Sequence, residues 1–333
     1  MMVRFPTLSF AVLLSVLSAV LFPSIAFAAP NIDKLAKGKW LQLSTSDFDI
    51  ITDLDEKKAR RLMDDLEAFK YFQQSLMGVQ LIPELGPLRI LALGSGSSFK
   101  HMDLPKTWAG VFVITDDRFY SIANVDNYSD DLKKPSFGRQ VLLHEYTHFL
   151  SRFSQNRRSF PLWYEEGKAE YLGTFKFDGE KIYLGNPKAI MFRTQGLYSR
   201  TGNLDLNVEE ILTTKELPIR SDKLGDRAVI DRFYARAFFI MHYLNSAPEL
   251  RKSLGLYLGA LSAGQTEAEA LQLAFNQNFE QFEQSVKDYV LGGLMMRVIS
   301  LNDGTIRFPE PEVRLAKLDS DGFKAQVGHF ISD

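Results

Sequence analysis

The sequence predicts an α+β protein, in which a small N-terminal half with a mixed sheet and one long helix precedes a helical C-terminal half. Before residue 135, apolar residues form short strand-like runs around one amphipathic helix. After residue 136, apolar residues recur at spacings of three and four over successive segments. The chain has 333 residues, 45% of them hydrophobic and 24% charged, which is typical of a globular protein with an ample core.

Residues 1–28 are predicted to be a signal peptide. Arg4 supplies a positive charge, Leu8 to Phe22 is an uncharged apolar run, and Ala26-Phe27-Ala28 is a small-x-small cleavage signature. We therefore expect an exported bacterial protein, periplasmic or secreted, with no membrane span after cleavage. The alternative is an uncleaved anchor, although about 15 apolar residues are short for a span of about 20.

Residues 29–135 are predicted to form an N-terminal α+β subdomain. Alternation in Ser46–Thr52 favours a half-buried strand, and Asp55–Met77 has the apolar periodicity of a long helix. The Gly-Ser-Gly-Ser-Ser run at Gly94–Ser98 resembles a phosphate loop only loosely, because it lacks a G-K-[ST] ending, and is expected to be a flexible connection. Three more strands are expected, the last two as an antiparallel pair turned at Asp116-Asp117: Leu88–Leu93, Ala109–Ile114 and Phe119–Val125.

Residues 136–295 are predicted to form a helical subdomain. Ser136 is a candidate N-cap for a helix to about Phe153, and Pro161 opens a second helix to about Gly173. Residues 296–333 are predicted to be a C-terminal tail whose role the sequence does not indicate. Between these lie a hairpin, Phe175–Leu184, and five helices: Asn207–Thr214, Asp226–Leu244, Glu249–Leu261, Glu267–Asn276 and Phe279–Leu291.

Composition restricts the chemistry. The net charge is −2 without a basic run, so the electrostatic signature of a nucleic-acid partner is missing. The chain has no cysteine, so a metal site must use His, Asp and Glu side chains. Only five histidines are present: His101, His144, His148, His242 and His329.

Two of these histidines form an H-E-x-x-H pattern, His144 to His148, within a predicted helix. Positions i and i+4 share one helix face, so both imidazoles can reach a single cation. Glu145 lies about 100° further round the helix, where it can address a water held by the metal. The alternative is a pair of histidines on a buried helix that meet no metal.

The next predicted helix offers a third ligand. Glu166 follows His148 after seventeen residues, and two histidines with one glutamate are an established set for catalytic zinc. Glu170 shares the face of Glu166 and is placed to accept a hydrogen bond from the non-coordinating nitrogen of a histidine. Glu165 is the rival ligand, and a solvated acidic helix face is the alternative to a site.

These residues resemble the gluzincin metallopeptidases, whose mark is H-E-x-x-H followed by W-x-x-E-G-x-A. The segments Gly138–His148 and Pro161–Tyr171 look most like the peptidase-MA-like domains of exported bacterial proteins of unknown function. The resemblance spans roughly residues 40–291. It implies a zincin, thermolysin-like catalytic fold, a Zn²⁺ cofactor, hydrolysis of peptide bonds in a peptide or protein substrate, and Glu166 as the ligand.

The resemblance also implies that a tyrosine one helix further on stabilises the oxyanion, and Tyr234 is about where that tyrosine is expected. Its alternative is an ordinary aromatic residue of an amphipathic helix. Arg232 and Arg236 are weaker candidates for substrate contacts, and His242, His101 and His329 are expected to be structural. Two departures argue against a typical aminopeptidase: the spacing of seventeen residues rather than eighteen, and the lack of a G-x-M-E-N segment.

The predicted mechanism is metal-assisted hydrolysis, in which Glu145 accepts a proton from the attacking water and delivers it to the leaving amine. A strand between Leu88 and Val125 is expected to bind an extended peptide by strand addition. Two other classes stay open. One is a non-catalytic envelope protein that keeps the scaffold for binding or assembly, and the other is a zinc hydrolase of another amide or an ester.

Overall fold

The computed structural model describes residues 12–15, 20–21, 31–82, 86–102, 110–114, 119–155, 158–198, 203–217, 224–301 and 306–331. These residues form an α+β protein with one mixed sheet, one small antiparallel sheet and a helical half. The strands are β1 (Val12–Ser15), β2 (Val20–Leu21), β3 (Trp40–Ser44), β4 (Phe48–Thr52), β5 (Leu88–Leu93), β6 (Gly110–Ile114), β7 (Phe119–Asn124), β8 (Lys176–Phe177), β9 (Lys181–Leu184), β10 (Arg297–Ser300) and β11 (Arg314–Leu318).

The helices agree closely with the periodicity of the sequence. The predicted Asp55–Met77 helix is α2 continued by a π-helical turn, Phe72–Leu76, and Asp55 is its N-cap. The helices are α1 (Ile32–Leu35), α2 (Glu56–Tyr71), α3 (Gly96–Lys100), α4 (Phe137–Arg152), α5 (Leu162–Gly173), α6 (Met191–Thr194), α7 (Val208–Thr213), α8 (Leu224–Asn245), α9 (Pro248–Ser262), α10 (Glu267–Phe275), α11 (Phe279–Leu291) and α12 (Ser320–Ile331).

The main sheet has the order β11-β3-β4-β5-β7-β6-β1-β2. The β4–β5 and β5–β7 pairs are parallel, and the other pairs are antiparallel, including the predicted β6–β7 pair. Strands β1 and β2 lie within the segment predicted to be a signal peptide, and β1 pairs with the outer edge of β6.

The central strands are buried on both faces, which explains their nearly continuous apolar runs. Ile50 and Ile90 point to the face covered by α2 and α4, whereas Ile51 and Leu91 point to the opposite face. The first face belongs to the main core, which extends into the helical half. The sheet is therefore a two-sided platform against which α4 packs.

The C-terminal segment completes this platform. Strand β11 pairs antiparallel with β3, and α12 follows to cover the second face, where Phe323 stacks on Trp40 with ring centroids 4.1 Å apart. The sequence analysis did not foresee α12. The sheet is consequently larger than expected, because both ends of the chain add strands to it.

Two predictions concern the connections that follow β5 and β6. The expectation of a flexible connection at Gly94–Ser98 was wrong, because Ser95 caps the short helix α3, and its hydroxyl accepts a hydrogen bond from Ser98 N. Asp53 adds a second restraint, since its carboxylate accepts a 2.6 Å hydrogen bond from the Ser98 hydroxyl. The predicted turn at Asp116-Asp117 lies outside the described residues.

Candidate metal centre

Helix α4 is the element on which the site is built. The side chain of Ser136 accepts a hydrogen bond from Arg139 N and so starts the helix where the sequence predicted. Every residue from Gly138 to Leu150 is buried, so α4 is a central core helix rather than a surface helix. Gly138 is required by packing, because a Cβ atom there would lie 2.0 Å from Asn124 O of β7. This contact fixes α4 against the sheet.

Three side chains converge between α4 and α5. The Nε2 atoms of His144 and His148 are 3.1 Å apart, and Glu166 Oε2 lies 3.3 Å from the first and 3.2 Å from the second. A tetrahedral zinc ion with bonds of about 2.0–2.1 Å separates its ligand atoms by about 3.3 Å. All three residues are buried, and the sequence-predicted ligand set is thus brought together with spacing that fits one cation.

The electrostatics of the cluster agree with this fit. Burial tends to lower the pKa of His144, but its contacts with Glu166 and Glu170 outweigh burial and raise that pKa well above its usual range. Burial tends to raise the pKa of Glu166, but the two histidines outweigh it and lower that pKa. The cluster therefore stabilises positive charge at its centre, which a divalent metal would supply.

Glu145 is buried beside the cluster without a protein partner. Its side chain is 1% exposed, and neither carboxylate oxygen has a hydrogen-bond partner among the described residues. Burial is the main cause that raises its pKa to about 7, against the opposing effect of the two histidines. A buried carboxylate in this state fits a group that exchanges protons with a ligand of the site.

Glu170 occupies the position predicted for it behind His144. Its Oε1 lies 3.1 Å from His144 Nδ1, although the direction of the ring N–H falls short of hydrogen-bond geometry. Its Oε2 accepts a 3.2 Å hydrogen bond from Gln140 Nε2. Burial tends to raise the pKa of Glu170, but Arg193 and His144 outweigh it and lower that pKa, so the carboxylate is ionised.

Tyr234 of α8 lies beside the ring of His144. The two rings are nearly perpendicular, with centroids 5.8 Å apart, and Tyr234 is fully buried. Burial, together with the charge of Glu166, raises the pKa of the phenol well above its usual value. The tyrosine is therefore protonated and near the cluster, as a hydrogen-bond donor to substrate must be.

The remaining candidates lie elsewhere. Glu165 is in the first turn of α5 and outside the ligand cluster. Arg236 is buried in ion pairs with Asp205 and Glu210, a structural role that the sequence did not indicate. Arg232 is half-buried near Gly196, where a Cβ atom would lie 4.0 Å from its Cγ.

The other three histidines are not part of the cluster that the described residues form. His242 makes hydrogen bonds of 2.9 Å with Gly185 O and 2.8 Å with the Tyr289 hydroxyl, which tie α8 to neighbouring elements. His101 ends α3. The side chain of His329 lies outside the described residues.

Sequence reasoning missed Arg193. Its guanidinium lies 3.4 Å from Glu170 and 4.6 Å from the ring centroid of Tyr234. The sequence contained one indication, since Arg193 ends the apolar run from Ala189 to Phe192. A lone arginine beside such a run is expected to be either exposed or paired in the interior.

Comparison with known proteins adds no assignment. No protein-family model matches the chain, and a search of curated proteins found no match. Within the described residues, no helix is both long and apolar enough to cross a membrane.

Proposed function

We propose that this chain is a zinc-dependent peptidase of the gluzincin type, with a zincin catalytic fold, that acts in the cell envelope. His144, His148 and Glu166 would hold the metal. The observation that supports this most strongly is the convergence of these ligands with Glu145, a buried carboxylate whose oxygens have no partner among the described residues. A purely structural cluster has no need of such a carboxylate, because leaving it unpaired costs stability.

When bound, zinc supplies a Lewis acid that polarises a scissile carbonyl and acidifies water. Glu145 acts as general base and then as general acid: it accepts a proton from the attacking water and delivers it to the leaving amine. Without a metal, burial raises the pKa of Glu145 to about 7, and a bound cation would favour the ionised form that accepts the proton. Burial of the carboxylate excludes competing solvent from the transfer.

Tyr234 and Glu170 both lie beside the ring of His144 and assist the reaction. The phenol of Tyr234 donates a hydrogen bond to the oxyanion that develops as the carbonyl is attacked. Glu170 holds the Nδ1 side of the His144 ring, which leaves Nε2 free to bind the metal. The closeness of both residues to one imidazole supports these roles.

Strand β6 is the best candidate for binding an extended peptide. It runs antiparallel to β7 and passes α4, where a Cβ atom at Gly110 would lie 3.5 Å from Val141 Cγ1. Its outer edge already accepts an antiparallel strand, β1. Removal of residues 1–28 as a signal peptide would free that edge, and a peptide would then pair with it close to the zinc helix.

The first experiment measures metal content by plasma mass spectrometry on the purified untagged protein, with a His144→Ala/His148→Ala control. We expect about one zinc per chain in the wild type and none in the control. Wild type that takes up no zinc, even after incubation with the metal, would contradict the proposal.

Activity is then assayed with a peptide library, with and without a chelator. We expect chelator-sensitive cleavage in the wild type, and a loss of about 100-fold or more in Glu145→Gln with zinc retained. Zinc binding without cleavage of any peptide would favour the non-catalytic scaffold, and cleavage of ester or non-peptide amide substrates alone would favour another hydrolase.

A further inference from the structure

Arg193 is a buried cation that contacts α5 and α8, two of the helices around the candidate metal centre. It is 4% exposed and extends from the short helix α6. Its Nη2 lies 3.4 Å from Glu170 Oε1 of α5, and its Nη1 donates a 2.9 Å hydrogen bond to Asp231 Oδ1 of α8. The two carboxylates neutralise a charge that would be costly to bury alone.

The contact with Glu170 joins Arg193 to a metal ligand through one carboxylate. Glu170 Oε1 faces both Arg193 Nη2 and His144 Nδ1, at 3.4 and 3.1 Å. Gln140 Nε2 holds the other oxygen of the same carboxylate. Arg193 and Gln140 therefore fix the rotation of the carboxylate, and the carboxylate faces the Nδ1 side of the imidazole.

The guanidinium of Arg193 lies over the ring of Tyr234. The Cζ atom of Arg193 is 4.6 Å from the ring centroid of Tyr234, and it also lies 5.1 Å from the ring centroid of Phe192. A guanidinium occupies such a position over an aromatic ring more often than an ammonium group does. One side chain thus sets the position of Glu170 on α5 relative to Tyr234 on α8.

We propose that Arg193 is a positioning residue for the metal centre: it acts through Glu170 to orient His144, and it holds Tyr234 beside the same imidazole. This inference rests on the proposed function, because it concerns the zinc affinity of that site. Residues that orient metal ligands in this way typically change metal affinity by about 10- to 100-fold when they are replaced.

The test is a double-mutant cycle on zinc affinity, measured by competition with a chromophoric chelator on the full chain. We expect Arg193→Gln and Glu170→Gln each to weaken zinc binding about 10- to 100-fold. The zinc affinity of the double variant should be no lower than that of the single variant that binds zinc more weakly, because Arg193 acts through Glu170. Arg193→Lys keeps the charge but not the planar fork, so its loss should be smaller.

Arg236→Gln is the matched control. It removes another buried arginine, on α8, that pairs with two carboxylates outside the metal centre. Its zinc affinity should equal that of the wild type.

Unchanged affinity in Arg193→Gln, or a double variant whose loss equals the product of the two single losses, would overturn the inference. If Arg193→Gln does not fold, Arg193→Lys decides, and wild-type affinity in that variant is the overturning result. A wild type that binds no zinc overturns the proposed function as well. If the wild type binds zinc and replacement of Arg193 leaves the zinc affinity unchanged, this inference alone is overturned.

Discussion

At the scale of single residues, Glu145 is a buried carboxylate that lowers the stability of the fold. Both of its oxygens are buried without a hydrogen-bond partner among the described residues. The ordinary pKa of a glutamate is about 4.5, and burial raises that of Glu145 to about 7. The folded protein therefore holds a proton that the unfolded chain has already released between these two pH values. It follows that this residue makes folding less favourable as the pH rises from about 4.5 to about 7.

Replacement of Glu145 by Gln should remove this cost. In the presence of a chelator at pH 8, we expect Glu145→Gln to be more stable than the wild type by about 1–3 kcal/mol. At pH 4 the difference should shrink, because the wild-type carboxyl is then protonated in both states. Urea unfolding at the two pH values measures this. If the two proteins differ in their free energy of unfolding by the same amount at pH 8 and at pH 4, Glu145 is ionised or paired in the folded protein.

At the scale of secondary-structure elements, the approach of α5 to α8 sets the distance between Glu166 and Tyr234. Gly167 allows this approach, since a Cβ atom there would lie 2.7 Å from Ala237 O and from Met241 Cγ. The obstacle at Ala237 is backbone and cannot rotate away. The two helices would have to separate to admit a side chain.

Gly167→Ala should therefore destabilise the protein by about 1–3 kcal/mol and weaken zinc binding, because Glu166 is the adjacent residue. Gly255→Ala is the control. Gly255 is exposed in α9, where an added Cβ meets no described atom within 4 Å, so this variant should gain about 0.5–1 kcal/mol. Thermal unfolding of both variants, with and without zinc, gives the comparison. If Gly167→Ala is as stable as Gly255→Ala, α5 and α8 pack less closely than the 2.7 Å distance at Gly167 indicates.

The sequence was sufficient for elements whose boundaries are set by neighbouring residues. Helix α4 starts after Ser136 and α5 after Pro161, as predicted, because capping and the restricted backbone of proline act within one turn. The proximity of His144 and His148 could also be predicted, since their i, i+4 spacing is local. Arg193 could not, because its partners lie 23 residues before it in Glu170 and 41 after it in Tyr234.

At the scale of the whole molecule, the sheet is completed by the end of the chain. Helix α12 is predicted poorly from its own residues, because what stabilises it is contact with the distant α1 and β3. Phe323 is fully buried and stacks on Trp40, and Val327 belongs to the same apolar cluster. This cluster covers the face of the sheet opposite to α4. This cluster and the candidate metal centre therefore lie on different faces of the sheet.

This separation predicts that Phe323→Ala lowers stability without changing the site. The loss of a fully buried phenylalanine should cost about 3–5 kcal/mol, measured as a shift of the urea midpoint. Leu273→Ala, at an exposed position of α10, is the control and should change stability by less than about 0.5 kcal/mol. Zinc affinity, measured where each variant is fully folded, should stay at the wild-type value, because Phe323 belongs to the apolar cluster on the face of the sheet opposite to α4, and Leu273 is exposed on α10. A Phe323→Ala variant with an unchanged midpoint would mean that α12 contributes nothing to the sheet. A fall in its zinc affinity would mean that strain on one face of the sheet reaches the metal ligands on the other.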